Sequence, residues 1–391
     1  MRFALFFLLA CFGLARAEVT LQQAVASALA RDVQKEWVAA HEEEAQALIE
    51  FSRQFFAKSP AVSLEYAEDS ATTNVGARRG TMGLELPLWW PGQRHAASEV
   101  GEKAWTLAER FAAARALGIA GEVREATAAV AVAKARLASA RHEAEHAGEI
   151  AHDLKKRFDL GEASRKDWLL AQQNQKRFEE ELKLSEGEAG KAKAAYRMLT
   201  GLEDVPKEES LALPVAPHPL MNLAEADANL AQAQLSLVQR SRADNPMLTL
   251  GGSRERGISA DPYASNLMLG IRIPIGGKAY RAPEIAKARR SWAWQEAEKK
   301  RIARQIQLDQ EQGQTELEAL KEALKASQAR VALARETTRL AKLGYKSGEE
   351  DFLNYLKVEG ERADAEAADA LHLAYYGRAI ARLNQANGVV P

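Results

Sequence analysis

The chain has 391 residues, with 53 basic side chains against 54 acidic ones, so its charge is nearly balanced. A balanced charge argues against the broad basic surface that nucleic-acid binding requires. The single cysteine, Cys11, excludes an internal disulfide, so stability must come from packing.

The N-terminus resembles a secretory signal peptide over residues 1–17. Arg2 precedes an apolar run from Phe3 to Leu14, and Ala15-Arg16-Ala17 is a typical cleavage site. Cleavage there would export the chain and remove Cys11. A faint likeness of Leu8-Leu9-Ala10-Cys11 to a lipoprotein signal leaves lipidation of Cys11 open. The run is shorter than the ~20 residues of a membrane-spanning helix, so we expect any membrane contact to be made by strands.

Helical spacing begins after Thr20 and continues to about Lys58, where Ser59-Pro60 interrupts it. Two strands follow, in which apolar and polar residues alternate. Their apolar positions are Val62, Leu64 and Tyr66 in the first strand and Met82, Leu84, Leu86 and Leu88 in the second. The pattern predicts a hairpin with one apolar face.

A long helical pattern then runs from about Gly92 to Arg157, roughly 100 Å at ~1.5 Å per residue. It is predicted to turn at Gly161 and to return as a second helix to about Thr200. Four prolines, Pro206, Pro214, Pro217 and Pro219, break the segment from Gly201 to Met221. The helical pattern resumes from Asn222 to about Asp244.

The same order of elements recurs 187 positions later. Thr81–Trp89 (TMGLELPLW) corresponds to Met268–Gly276 (MLGIRIPIG). Strand patterns around Leu248 and Leu267–Ile275 precede a helix from about Gly277 to Lys346, a turn at Gly348 and a return to Ala386. We therefore predict a signal peptide at 1–17 and two structural repeats at 18–219 and 220–391.

The predicted strands carry Glu65, Glu85 and Arg272 on the face opposite the aliphatic side chains. In an outer-membrane barrel the aliphatic face of each strand contacts lipid and the polar face lines a water-filled interior, which fits this pattern. Alternation alone also fits a half-buried soluble sheet. The residues predicted to face lipid are Leu84, Leu86, Leu88, Leu269, Ile271 and Ile273. Trp89 and Trp90 then mark a water–lipid boundary or pack the junction between strand and helix.

The segment RFDLGEASRKDWLL, from Arg157 to Leu170, resembles the helix-tip motif of the TolC-type outer membrane efflux proteins. The likeness covers residues 19–390, and the strand end LPLWWPGQR looks most like the heavy-metal branch of the cobalt/zinc/cadmium type. It implies a mainly α fold with a small β part. Long antiparallel helical hairpins would form an α-barrel, and four strands per protomer would contribute to a twelve-stranded barrel of a homotrimer.

The resemblance also implies a function. The chain would be a passive exit duct in the outer membrane of a Gram-negative bacterium, with a periplasmic helical tunnel and without enzymatic activity or a cofactor. Its partners would be outer-membrane lipid, a periplasmic adaptor protein and an inner-membrane pump, and its cargo heavy-metal cations. Drug efflux, type I secretion and, as a different class of function, a soluble periplasmic coiled-coil scaffold remain alternatives.

Both turns are predicted to dock the adaptor, with Gly161 and Gly348 in the positive-φ conformation that a reversal requires. The docking residues are Phe158, Asp159, Leu160, Gly161 and Ser164 at the first tip and Tyr345, Lys346, Ser347 and Gly348 at the second. The second tip departs from the motif, because Asp351 replaces Ser164 and Asn354 replaces Asp167. Glu349, Glu350 and Asp351 would form an acidic ring at the pore entrance, or an ordinary acidic helix start.

His142-Glu143-Ala144-Glu145-His146 matches the H-E-x-x-H pattern of zinc proteases. A catalytic zinc site also needs a third ligand beside a substrate cleft, and His152 would lie about 120° away on the helix. We therefore favour a solvated helix face, with His142 and His146 as weak metal ligands.

Overall fold

The computed structural model describes residues 19–242, 244–275 and 278–391. The predicted signal peptide, Cys11 and the glycine pair Gly276–Gly277 lie outside the described residues. Twelve elements follow in chain order: α1 (Leu21–Ala30), α2 (Lys35–Arg53), β1 (Ala61–Glu68), β2 (Arg78–Pro87), α3 (Gln93–Asp159), α4 (Arg165–Thr200), α5 (Pro219–Arg240), β3 (Met247–Arg256), β4 (Ala264–Arg272), a 3-10 turn (Lys278–Tyr280), α6 (Ala282–Ser347) and α7 (Phe352–Ala386). The described chain contains no helix that combines the length and apolar character needed to cross a membrane.

The chain divides into two compact units. The first comprises residues up to Asp32, Ala116–Pro214 and Asp309–Pro391, and the second comprises Val33–Arg115 and Val215–Leu308. The sheet and α5 belong to the second unit. Both helix tips belong to the first.

The four strands form one antiparallel sheet in the order β1-β2-β3-β4. Leu84 is the Cα partner of Val62 and of Leu250, and Leu250 is the partner of Leu269, so these aliphatic side chains share one face. Glu85 pairs with Ala61 and Thr249 on the opposite face. The predicted division of the strands into an aliphatic and a polar face is confirmed.

The first unit buries a core in which α1, α3 and α4 meet. Its members include Val25 of α1, Ile119 and Val123 of α3, and Tyr196 of α4, whose ring is fully buried. Thr20 caps α1 with a reciprocal hydrogen-bond pair to Gln23, because its hydroxyl accepts from the Gln23 N–H while the Gln23 side chain accepts from the Thr20 N–H.

A strap of irregular chain, residues 201–214, crosses this unit and is held by buried polar side chains. Arg124 is 3% exposed and makes a two-pronged ion pair with Glu209, at 2.6 Å from Nε and 3.1 Å from Nη2. The same guanidinium donates to the backbone carbonyl of Val389 at 2.9 Å. Asn384 accepts from the Ala212 N–H at 2.8 Å. The predicted proline-rich break is therefore ordered by side-chain bonds to α3 and α7.

The single helix predicted from Thr20 to Lys58 is wrong. Two helices occupy this region, and the chain turns between them at Arg31–Gln34, where the Asp32 N–H bonds the Leu29 carbonyl. Asp favours such turns because its short side chain competes with helical hydrogen bonding.

The boundaries of two further helices also differ from prediction. Pro219 was expected to break the chain, yet it is the first residue of α5, a position at which proline loses no helical hydrogen bond. Similarly, α6 begins at Ala282 rather than at Gly277.

Candidate functional site: the two helix tips

The helical hairpins reverse at two short turns of the same construction. Gly161 and Gly348 have φ values of +81° and +79°, as predicted. The Glu162 N–H donates to the Arg157 carbonyl at 2.8 Å, and the Glu349 N–H donates to the Gly344 carbonyl at 2.9 Å. These bonds satisfy carbonyls that the ends of α3 and α6 leave open, as expected for a left-handed helix terminus.

Each return helix begins with a side-chain cap at the same place in the repeat. The Asp167 N–H donates to the Ser164 hydroxyl at 3.1 Å, and the Asn354 N–H donates to the Asp351 carboxylate at 2.9 Å. The departure of the second tip from the motif therefore preserves the cap, with a carboxylate in place of a hydroxyl. A charge at this end of a helix is also favoured by its dipole.

An aromatic pair closes each hairpin behind its turn. Phe158 and Trp168 stack with ring centroids 5.2 Å apart and planes 9° apart. Tyr345 and Tyr355 stack at 5.7 Å and 6°. The guanidinium of Arg157 lies 5.8 Å from the Tyr345 ring centroid, so a cation–π contact joins the two hairpins.

Behind the tips lies a shared apolar cluster, formed by Ala151, Leu154, Ala171, Ala341, Phe352 and Tyr355. Burial raises the pKa of Tyr355 to about 12 and also raises that of Tyr345. A phenol that is harder to ionise reports an apolar setting for both rings.

The predicted docking residues divide into an exposed and a half-buried set. Leu160 is 73% exposed, a high value for a leucine at the end of a helix. Exposure is also found at Asp159, Gly161, Ser164, Lys346, Ser347 and Gly348. Phe158 and Tyr345 are half-buried because each ring stacks on its partner. The tips thus present polar side chains and one leucine over an aromatic base.

The three acidic residues of the second tip are held in different ways. Asp351 caps α7, and Glu350 accepts from the Asn354 side-chain amide at 2.8 Å. Glu349 is exposed. Asp351 therefore has the role of an acidic helix start, one of the two predicted alternatives. Glu349 and Glu350 lie on the tip surface.

The H-E-x-x-H segment is part of an ion-pair network between α3 and α7. The Nε2 atom of His146 lies 2.7 Å from a Glu359 carboxylate oxygen. Arg362 contacts Glu143 at 3.2 Å, Glu359 at 2.8 Å and also Glu366. Glu143 and Glu359 are each 6% exposed. The central glutamate of the motif is thus paired with an arginine, which opposes a role as a zinc-site base.

Burial and pairing shift the pKa values of this network in opposite directions. Burial raises the pKa of Glu143. The hydrogen bond to Glu359 raises the pKa of His146 against the effect of burial. Burial acts to raise the pKa of Glu359, but hydrogen bonds from His146 and Arg362 outweigh it and lower that pKa. The favoured state is an imidazolium beside a carboxylate.

One group of side chains in the described chain has a geometry that could share a cation. Ligand atoms of His142, Glu143 and Glu366 all lie within 4.8 Å of one another. Arg362 already pairs with both carboxylates, so a cation would have to compete with a guanidinium. The predicted partner of His142 was His146, whose imidazole instead binds Glu359.

In the other unit, the aliphatic face of the sheet is not covered by any part of the chain that the structure describes. Every residue of β1 and of β4 is exposed. Leu267 is 94% exposed and Leu269 is 74% exposed. Such a contiguous exposed apolar surface is typical of a site that contacts another protein or a membrane.

Aromatic residues lie where the sheet meets the helices. The indole N–H of Trp89 donates to the Gln54 carbonyl at 3.1 Å, and that of Trp90 donates to the Asp244 carbonyl at 2.8 Å. Phe51 packs edge-on against Trp89 at 5.4 Å. Both tryptophans are half-buried and hydrogen-bonded, so packing of the strand–helix junction, one of the two predicted roles, is confirmed.

Sequence reasoning missed the partners in the aromatic stacks and the arginines. Trp168 and Tyr355 lie ten residues after Phe158 and Tyr345 in both repeats, and this doubled spacing is a signal that could have revealed them. Arg124 and Arg362 carry no such signal, because nothing in a charge-rich helix distinguishes a buried arginine from a solvated one.

No protein-family model matches this chain, and no curated protein sequence matches it. Solved structures do. The Campylobacter jejuni CmeC outer membrane channel matches 94% of this chain and 85% of its own length, with a TM-score of 0.73 at 14% identity. The outer membrane protein VceC from Vibrio cholerae matches 94% of this chain and 96% of its own length, with a TM-score of 0.73 at 18% identity.

This chain also matches a crystal structure of CusC from work on transmembrane channel formation, with a TM-score of 0.76 at 16% identity. The match covers 95% of this chain and 92% of that one. The chain therefore has the fold of outer-membrane channels. The predicted fold class, long helices with four strands in each protomer, is confirmed.

Proposed function

We propose that this protein is the outer-membrane exit duct of a tripartite efflux system, a passive conduit and not an enzyme. The observation that carries the proposal is the sheet. Its aliphatic face is exposed, and within the described chain its edge strands β1 and β4 each pair with one strand only. A row of unpaired edge groups inside lipid costs several kcal/mol per group, so the sheet must close with other copies.

Three copies would supply twelve strands, an even number within the range of bacterial barrels. Leu84, Leu86, Leu269 and Ile271 would face lipid, extended by Leu88 and Ile273 just beyond the strands. The polar face, with Glu85 and Thr249, would line the water-filled interior. A homotrimer with its helices in the periplasm is therefore part of the proposal, and the likeness in fold to outer-membrane channels supports it.

The tips are proposed to dock the periplasmic adaptor, and the adaptor in turn to connect an inner-membrane pump. Leu160 and the exposed backbone around Gly161 and Gly348 offer a surface that another helical hairpin could cover. The aromatic stacks beneath would keep that surface in one conformation, which lowers the entropic cost of docking.

The two repeats, 18–219 and 220–391, and the signal peptide at 1–17 belong to this proposal. We extend it to the cargo, for which heavy-metal cations are the proposed class. Glu349 and Glu350 support this, because threefold repetition would concentrate carboxylates at one mouth of the duct. Drug efflux and protein secretion are the alternatives to a cation cargo.

The experiment that tests the duct is fractionation of cells that express the full chain, combined with the mass of the detergent-extracted protein. A barrel protein remains in the outer-membrane pellet after alkaline carbonate extraction and has the mass of a trimer. A soluble periplasmic scaffold is released by osmotic shock, and that result would overturn the proposal.

An efflux measurement tests the role of the tips independently of membrane insertion. Gly161→Pro forces φ to about −65° and removes the N–H that bonds the Phe158 carbonyl, so it should abolish efflux. Insertion into the outer membrane should be unchanged, since the sheet is untouched. Gly187→Ala, in the open face of α4, is the control. Normal efflux by the Gly161→Pro variant would refute a role for this tip.

The cargo test is cation selectivity. Replacing both Glu349 and Glu350 by glutamine should shift the reversal potential of the open duct in a salt gradient toward zero, because carboxylates at a pore mouth attract cations. Glu361→Gln, on an exposed position of α7, is the control. An unchanged reversal potential would remove the acidic residues from the cargo argument.

A further inference from the structure

Three arginines lie on the aliphatic face of the sheet, at the end where the hairpin loops are. Arg78 is six residues from Leu84, so the two-residue period of a strand places both on one face. Arg254 and Arg256 share that face, because Arg254 is the Cα partner of Gly80 and Arg256 is the partner of Arg78. We call Arg78, Arg254 and Arg256 the arginine triad.

The triad brings like charges together. Arg78 and Arg256 are directly opposite each other on paired strands, an arrangement that destabilises a sheet when no counter-charge is present. Arg254 is the next residue along the same face. One carboxylate, that of Glu68, lies 3.8 Å from the Arg78 Nε. Among the strand residues of this face, three cations thus meet one anion, which leaves a surplus of positive charge. The loop carboxylates of Asp69 and Asp261 border the same cavity as Arg78 and Arg256, and each accepts backbone N–H bonds of a hairpin loop.

The guanidinium groups are held in position. Those of Arg254 and Arg256 lie 4.8 and 5.0 Å from the centroid of the same ring, Tyr263. Arg256 also donates its Nε–H to the Gly76 carbonyl at 3.0 Å. An ordered pair of guanidiniums on one aromatic ring is prepared for an anion with several acceptor oxygens.

The opposite face of the sheet differs. There, Arg79 is paired with Glu255 at 2.6 Å, and the two residues are Cα partners. The charges on the polar face are thus balanced at the level where those on the aliphatic face are not. The surplus is confined to the side proposed to contact lipid.

The position of the triad matches the edge of an apolar layer. Leu88 and Arg78 are ten residues apart, ~33 Å along an extended strand. A strand tilted by ~40° then spans ~25 Å along the barrel axis, the height of the apolar band of an outer-membrane barrel. Leu88 lies at the helix end and the triad at the loop end, so the triad would lie at the outer lipid surface.

We propose that the arginine triad binds the phosphate groups of a lipid headgroup in the outer leaflet. Planar guanidiniums recognise phosphate by paired hydrogen bonds, and the anion would relieve the repulsion between Arg78 and Arg256. The inference rests on the proposed insertion of the sheet into the outer membrane.

The test uses the full chain, extracted in detergent and exchanged into micelles that contain labelled bisphosphorylated lipid A. The triple variant R78Q/R254Q/R256Q should bind the lipid about a hundredfold more weakly, because it lacks three charges near the lipid surface. R79Q, on the polar face, is the matched control and should retain as much as the unmodified protein. The lysine variant R78K/R254K/R256K, which keeps the charge, should retain an intermediate amount.

Three results would overturn the proposal. Equal lipid retention by the unmodified protein and all variants would exclude the triad as the binding site. If the unmodified protein retained dephosphorylated lipid as well as the phosphorylated form, binding would be assigned to the apolar face alone. Complete displacement by excess inorganic phosphate would identify a site for free phosphate. Carbonate-resistant membrane association of each variant is measured in parallel, so a failure to insert, which also contradicts the proposed duct, is distinguished from loss of lipid binding.

Discussion

Tyr345 and Tyr355 stack nearly parallel across the second helix tip, with planes 6° apart. Tyr355 is 5% exposed, and burial raises its pKa to about 12. Absorbance titration should therefore show a tyrosine component that remains neutral at pH 11. Tyr355→Phe should remove that high-pKa component. A titration unchanged by the substitution would contradict the buried stack.

Truncation of the same ring tests its contribution to stability. Tyr355→Ala should lower the stability of the tip by about 3 kcal/mol, because it leaves a cavity in the shared apolar cluster. Tyr355→Phe preserves the ring and should cost less. Hydrogen exchange of the amides between Ser347 and Asn354 would measure both effects. Equal exchange in the two variants would show that the ring does not support the turn.

The positive φ of Gly348 predicts a cost for any side chain there. A Cβ added at this position would meet no atom within 4 Å, so the cost of Gly348→Ala is conformational alone. We expect about 1 kcal/mol, or about fivefold faster exchange at Glu349 and Glu350. Gly360→Ala, also in open space but inside α7, should slightly stabilise its helix. A stabilising Gly348→Ala would contradict the turn geometry.

The first tip was largely predictable, because glycine at a reversal and Ser or Asp before a helix are local signals. The long helices and the two faces of the strands were also predictable, because periodicity over many residues identifies them. The break between α1 and α2 was not, because one turn-favouring residue, Asp32, is too weak a signal to end a helix. The network around Arg362 depends on which helices pack together, which one sequence does not reveal.

The His146–Glu359 pair predicts how stability depends on pH. The pKa of His146 is raised above 6.5, so its contribution is complete below about pH 6.5 and is lost as pH rises through the folded pKa. The pKa of Glu359 is lowered below 4.5, so its contribution is lost as pH falls below that value. The contact between α3 and α7 should be strongest in weak acid.

Thermal unfolding from pH 4 to pH 9 would measure this dependence. His146→Gln should flatten the decline above neutral pH, whereas His152→Gln, at an exposed position, should not. An unchanged pH profile in His146→Gln would contradict the ion pair.

Arg124 should be among the costliest substitutions in the first unit. Arg124→Met leaves Glu209 without its two-pronged partner and should cost about 3 kcal/mol or more. Arg124→Lys keeps the charge but loses the paired geometry, so it should cost nearly as much. Arg136→Met, which breaks an exposed pair with Glu188, should cost less than about 1 kcal/mol. Faster limited proteolysis within the strap 201–214 would show directly that the strap has detached from α3.

Planar-bilayer conductance of the detergent-purified mature protein, measured together with the oligomer mass of the same preparation, would decide whether the protein is a duct. We expect a trimer that inserts and gives discrete current steps. A monomer that stays in solution and gives no current would contradict the assignment as an outer-membrane duct.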